Sequence, residues 1–118
     1  MFGKVNIGGK EVAMAANAAT PFFFSQLFKQ DFFIESQKVT EGNEGAAVDL
    51  FTKAGFIMAK QAEYNETPAK MHALMNKLSL TDYIAWLEEF EAMDIAVASG
   101  DIAAIYSGQA TPSTKAKN

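Results

Sequence analysis

A chain of 118 residues, 49% of them hydrophobic, is one domain's worth of sequence and can bury a core without covalent staples. It has no cysteine, which excludes a disulfide framework, a thiol nucleophile and any Cys-based zinc or iron–sulfur site. Ten lysines, no arginine and fourteen acids leave a net charge of −4, so the overall field repels nucleic acid and the usual bidentate reader of phosphate and guanine is missing.

His72 is the only histidine, so neither a catalytic triad nor a two-histidine metal site can be assembled within one chain, and no cofactor is expected. The acidic surplus is local. Residues 1–77 hold eight acids and eight lysines, whereas 78–114 hold Asp82, Glu88, Glu89, Glu91, Asp94 and Asp101 with no lysine. Apolar stretches are broken within about ten residues by Lys, Asp, Glu or Gln, well short of the roughly 20 that a membrane helix needs. Met1 to Asn17 has no apolar signal core. The expectation is a soluble, unexported protein with neither a membrane nor a nucleic-acid partner.

Residues 2–15 predict a β-hairpin turning at Gly8-Gly9, because two glycines can take the positive φ angles of a tight turn. In that register Val5 faces Val12, Ile7 faces Lys10 and Gly3 faces Met14 on one face, with Asn6/Glu11 and Lys4/Ala13 on the other. Only one side is apolar, so the hairpin should lie against helices. Thr20-Pro21 then reads as a polar cap followed by proline at the first helical position, opening a helix over about 21–30. Asp31 is placed to cap a second short helix with Phe32, Phe33 and Ile34. Six of the ten phenylalanines fall between 22 and 33, and Phe22, Phe23 and Phe24 point about 100° apart, so they cannot all face one core.

After the turn-rich TEGNEG segment (40–45), a longer helix should run from about Glu44 to Tyr64. Its apolar stripe is Ala47, Leu50, Phe51, Ala54, Ile57, Met58 and Gln61. Opposite lie Asp49, Thr52, Lys53, Lys60 and Glu63, with Phe56 in their midst. Thr67-Pro68 breaks this helix, and 69–78 read as a short helix or an ordered loop. Ser79-Leu-Thr-Asp82 has capping-box form and opens a helix through about Ala92, with Leu80, Tyr83, Ile84, Leu87 and Phe90 as its buried stripe and Trp86 widening it. Met93 to Ser99 can continue it, Gly100-Asp101 interrupts the chain, and a last turn carries Ile102, Ile105 and Tyr106. The polar residues 109–118 are expected to be a disordered tail. The fold expected is therefore mainly α (α+β), one domain over 1–108 with an N-terminal hairpin packed on four to six helices.

Candidate chemistry is thin. Glu88 and Glu91 at i, i+3 on a helix could share a proton or a divalent ion, with Asp94 beside them, but a solvated acidic face docking a lysine-rich partner is the better reading. His72 has no base or nucleophile spaced to make it catalytic. Gly8-Gly9 lacks the following helix N-terminus that a phosphate cradle needs. The phenylalanines are the stronger signal: most suit a small core, yet Phe22 and Phe23 offer a contact surface hidden on oligomerisation. Phe56, whose burial would drag charged neighbours along, is expected between chains.

The order of these pieces resembles the tail assembly chaperones of long, non-contractile-tailed phages and prophages of Gram-positive bacteria. The likeness lies in the VNIGGKEV hairpin (5–12), the Thr20-Pro21 start of an aromatic helix with Phe28 and Asp31 after it, Ala59 to Ala62 at the end of the central helix, and LTDYIAWLEEF (80–90) with Trp86, Leu87 and Phe90. A small C-terminal helix and a Thr/Ser/Lys tail complete a match over nearly the whole chain. The chain departs from the family pattern at Phe22-Phe23, where more polar or basic residues are common, and at Lys29-Gln30, where glycine is usual.

The resemblance implies a non-enzymatic protein that binds the tape-measure protein, keeps its apolar helices soluble, and acts in the cytoplasm of the bacterial host without staying in the virion. It also implies a longer form, made by frameshifting, that recruits the tail-tube protein. Self-association into a homo-oligomer is expected, with Phe22, Phe23, Phe56, Trp86, Glu88 and Glu91 as the partner-binding residues. The rival readings are a structural virion component, such as a head–tail connector or tail terminator, and more weakly a metal-dependent enzyme using Glu88, Glu91 and Asp94.

Overall fold

A computed structural model describes residues 1–108; the tail expected over 109–118 lies outside the described residues. Among the described residues, six helices account for 64% and follow an N-terminal antiparallel hairpin, which is the α+β arrangement expected. The hairpin pairs β1 (Phe2–Ile7) with β2 (Lys10–Ala15), and Val5↔Val12, Ile7↔Lys10 and Gly3↔Met14 are opposite one another as the glycine turn requires. Gly8 and Gly9 take φ of 62° and 90°, two consecutive positive values that side-chain-bearing residues rarely adopt. The Met1 amino group donates to the Ala16 carbonyl, and Ala16 N donates back to Met1 O at 2.7 Å, closing the open end. Val5, Ile7 and Met14 are buried where β1 lies against the last helix and β2 against the central one.

The first helix, α1 (Thr20–Phe28), starts differently from expectation. Thr20 is not its cap; Ala19 holds that position, and the Thr20 hydroxyl donates to Gln61 Oε1 at 2.7 Å while accepting from Asn17 N at 3.0 Å. Gln61 Nε2 donates in turn to Asn17 Oδ1 at 3.2 Å. Two buried polar side chains, Thr20 and Gln61, thereby satisfy each other and tie the start of α1 to the central helix. The helix ends one residue before Lys29, whose φ of +57° is left-handed, a C-terminal conformation that glycine adopts most easily. In α2 (Phe32–Thr40) the Asp31 carboxylate accepts from Phe33 N at 2.8 Å and Ile34 N at 3.2 Å, the cap read from sequence.

The central helix α3 (Glu44–Glu63), capped by Asn43 on Ala46 N at 3.0 Å, is buried on nearly every side from Leu50 onwards. Besides the expected stripe, Thr52 and Phe56 are buried too, because α3 is wrapped rather than leaned upon. Gly55 allows this on one side: a Cβ there would sit 2.9 Å from Ile102 Cδ1 and 3.4 Å from Met14 Cε, so the glycine lets the last helix and the hairpin close on α3. The short helix α4 (Pro68–Met75) contributes Met71 and Met75 to the core.

The two remaining helices divide differently from expectation. Helix α5 (Leu80–Leu87) opens where Asp82 accepts from Ser79 N at 2.9 Å, but stops at Leu87 rather than near Ala92. Helix α6 (Ala92–Tyr106) then runs unbroken through Gly100. A physical reason lies in the acids: Glu88 and Glu89 would oppose the negative C-terminal end of a longer α5, whereas Glu91 and Asp94 favour the positive start of a new helix. The glycine within α6 costs about 1 kcal/mol against alanine. Burial of Ile95, Ala98 and Ile102 on both sides of it outweighs that cost.

Candidate functional site

The aromatic residues sort into an interior file and exposed ends. Phe33, Phe32, Phe24, Phe28, Tyr83, Phe56, Trp86 and Phe90 touch in succession, with ring centroids between 5.0 and 5.9 Å apart. These edge and tilted contacts stitch α1, α2, α3 and α5 together. Phe56, expected between chains, is 1% exposed and has no surface to offer a partner. The premise behind that expectation fails because its lysine neighbours are not dragged inside with it. Lys60 Nζ stands over the Phe56 ring at 5.6 Å and pairs with Glu63, and Lys53 Nζ stands over Phe28 at 5.6 Å and pairs with Asp49, so each charge is answered at a ring face by a neighbouring acid rather than carried into the core. The cover that sequence could not place is α5, which lays Tyr83 and Trp86 on Phe56.

Of the other residues singled out, Phe22 is 69% exposed, Phe23 is half-buried with its ring edge-on to His72 at 6.0 Å, and Phe24 is sealed, three directions for three rings. Phe22 lines a small hollow with Phe33, which is also exposed, at the start of α1 and α2. Trp86 is half-buried between Phe56 and Phe90. Glu88 and Glu91 are exposed, but on the corner between two helices rather than at i, i+3 on one, so the spacing argument for a shared proton or ion does not apply. Among the described residues, no group of three or more His, Asp or Glu side chains converges as a metal site.

What sequence reading missed is the outer side of α5. Leu80 and Ile84, expected in its buried stripe, are 56% and 49% exposed. The helix turns Tyr83 inward and leaves Leu80, Ile84 and Leu87, spaced i, i+4 and i+7, as a ridge. At its Leu87 end the ridge enters a groove of about 500 Å³ between α3, α5 and α6, walled by Val48, Thr52, Tyr83, Leu87, Phe90 and Ile95. Asp49 also lines it, its carboxylate 3.0 Å from Lys53 Nζ. Burial, and then the Asp49 charge, raise the Tyr83 hydroxyl's pKa far above the ordinary tyrosine value. At the same wall Thr52 is 5% exposed, and its Oγ1 is, among the described residues, a buried side-chain oxygen without a hydrogen-bond partner. The signal available in sequence was the width of the stripe: Leu80, Tyr83, Ile84, Trp86 and Leu87 occupy five of eight positions, more than one neighbouring helix can cover.

The groove has apolar walls, one acid in its lining and three more, Glu88, Glu89 and Glu91, on the adjoining corner, and nothing in it resembles a nucleophile paired with a base. A second groove, of about 380 Å³, runs beside β2 between Ala13, Ala59, Ala62, Trp86 and Phe90, where the Lys10 ammonium reaches Glu89 and holds the hairpin tip to the α5–α6 corner. No family model, curated protein or solved structure matches the chain. No helix among the described residues is long and apolar enough to cross a membrane.

Proposed function

We propose that this chain is a non-enzymatic tail assembly chaperone of a long, non-contractile-tailed phage or prophage, in its short form, which binds the tape-measure protein and keeps that protein's apolar helices from aggregating. The reading places it in the host cytoplasm and outside the mature virion, with the tail-tube protein recruited by a longer frameshifted form. One observation carries it beyond the residue pattern: the Leu80–Ile84–Leu87 ridge, which a free-standing domain of this size gains nothing by exposing, borders an apolar groove with acids around it. A holdase for apolar helices needs such a surface and needs no catalytic group. Phe22, Phe33 and Ile34, exposed at the start of α1 and α2, form a second apolar region suited to contact between copies of the chain.

Co-expression with the tape-measure protein of the same phage tests the reading. The two should co-purify, the soluble fraction of the tape-measure protein should rise, and light scattering should report the chain alone as an oligomer. A monomer that fails to co-purify overturns the assignment. Mass spectrometry of purified particles should find the chain absent; its presence would make it a virion component, such as a connector or terminator, instead.

A further inference from the structure

We infer that the groove between α3, α5 and α6 seats an amphipathic helix whose apolar face is flanked by lysine or arginine; this rests on the chaperone reading and names the segment of client that the reading leaves open. The shape argues for a helix. The ridge Leu80–Ile84–Leu87 spans two turns, and such i, i+4, i+7 spacing is what a second helix packs against. The groove's lining comes from α3, α5, the corner that follows and α6, with no strand edge in it to call for an extended peptide.

The charge around it argues for a basic flank. Asp49 lines the groove, while Glu88 and Glu91, both exposed, alternate along the chain with the wall residues Leu87, Phe90 and Ala92. No lysine lies between residues 78 and 108, and the one that reaches this corner from the hairpin, Lys10, is bonded to Glu89. Lys53, the cation nearest Asp49, is already bonded to that carboxylate and to Gln30 Oε1 at 2.9 Å. Among the described residues Glu88 and Glu91 make no ion pair, unlike Asp49 and Glu89, so an incoming helix with lysines beside its apolar face meets two free carboxylates, whereas an acidic helix is repelled. Thr52 adds an independent sign that the wall is incomplete, since its buried hydroxyl finds no partner among the described residues.

The experiment titrates the full chain with two designed helical peptides that share one leucine face, the polar face being lysine in one and glutamate in the other, followed by fluorescence anisotropy. The lysine peptide should bind saturably, about tenfold or more tighter than the glutamate peptide, with affinity falling as salt rises. Glu88→Gln with Glu91→Gln should weaken it about threefold or more and flatten the salt dependence. Leu80→Ser with Ile84→Ser should abolish it while circular dichroism stays unchanged. Equal binding of both peptides, or binding that survives Leu80→Ser/Ile84→Ser, overturns the proposal. A chain that captures the tape-measure protein yet binds neither peptide keeps the chaperone reading and loses this seat; the converse result keeps the seat and loses the reading. If Leu80→Ser/Ile84→Ser instead converts an oligomer to a monomer and leaves peptide affinity untouched, a second copy of the chain occupies the groove and the proposal fails.

Discussion

Helices α3 and α5 carry apolar stripes of similar quality, yet one is consumed by the fold and the other is half left over. The 20 residues of α3 have the hairpin, α1, α2, α5 and α6 around them, so even Phe56 and Thr52 on its nominally polar side are sealed. The eight residues of α5 turn Tyr83 and Trp86 onto Phe28, Phe56 and Phe90 and leave Leu80 and Ile84 about half exposed. The lesson is that an apolar stripe specifies a wish to be covered and not the identity of the cover. Where the chain supplies the cover, the stripe is core; where it does not, the stripe is available to another molecule.

The sharpest way to break that comparison is to cut equivalent bulk from the two helices. Phe56→Ala should cost about 3–5 kcal/mol in urea denaturation, because it opens a cavity in the middle of the aromatic file. Leu80→Ser with Ile84→Ser should change stability by no more than about 0.5 kcal/mol per site, since both side chains are already half in water. If the two experiments cost alike, α5 is as buried in solution as α3, and the docking surface does not exist.

A second test asks how firmly α5 is held. Tyr83 is buried against Phe28 and Phe56, and its pKa is raised in the fold by burial first and by Asp49 second. A raised acid favours the neutral, folded form, so its contribution is fully present below the unfolded tyrosine value of about 10 and is lost as pH climbs beyond it toward the folded value. Denaturation midpoints should therefore drop above about pH 10, and Tyr83→Phe should flatten part of that drop. Tyr106, shifted the same way by its own burial, supplies a smaller remainder. An alkaline limb identical in wild type and Tyr83→Phe would mean that α5 lifts off the core before the hydroxyl ionises.

Much of this architecture was legible in the residues. The hairpin register followed from two glycines and alternation, and the Asp31 and Ser79–Asp82 caps followed from side chains that reach back to free N–H groups. What escaped was whatever depended on long-range partners. Thr20 looked like a cap because nothing local announces that Gln61, 41 residues away, will accept its proton. Phe56 looked stranded because a helical wheel cannot show that a lysine ammonium settles over its ring and that α5 covers it. Glu88 and Glu91 looked like one helical face because apolar periodicity runs across the corner, and only the electrostatics of helix ends separates α5 from α6. The ridge was misread for the same reason: Leu80 and Ile84 have the right spacing for a core, and the missing ingredient is a neighbour.

The smallest expected effect probes the line where the two helices meet. Thr52 lies on α3 at the wall of the groove, 5% exposed, with its hydroxyl oxygen unpartnered among the described residues. Valine keeps the β-branch and nearly the same shape, has a similar helix propensity, and replaces the desolvated hydroxyl with a methyl group. Removing an unsatisfied buried polar group should raise stability by about 1 kcal/mol, read as a higher denaturation midpoint with unchanged slope. A destabilised Thr52→Val would show that the hydroxyl is bonded in the free protein, through water or a shifted α5. The wall of the groove would then be complete without any occupant, and the contrast between a finished α3 face and an unfinished α5 face would rest on the ridge alone.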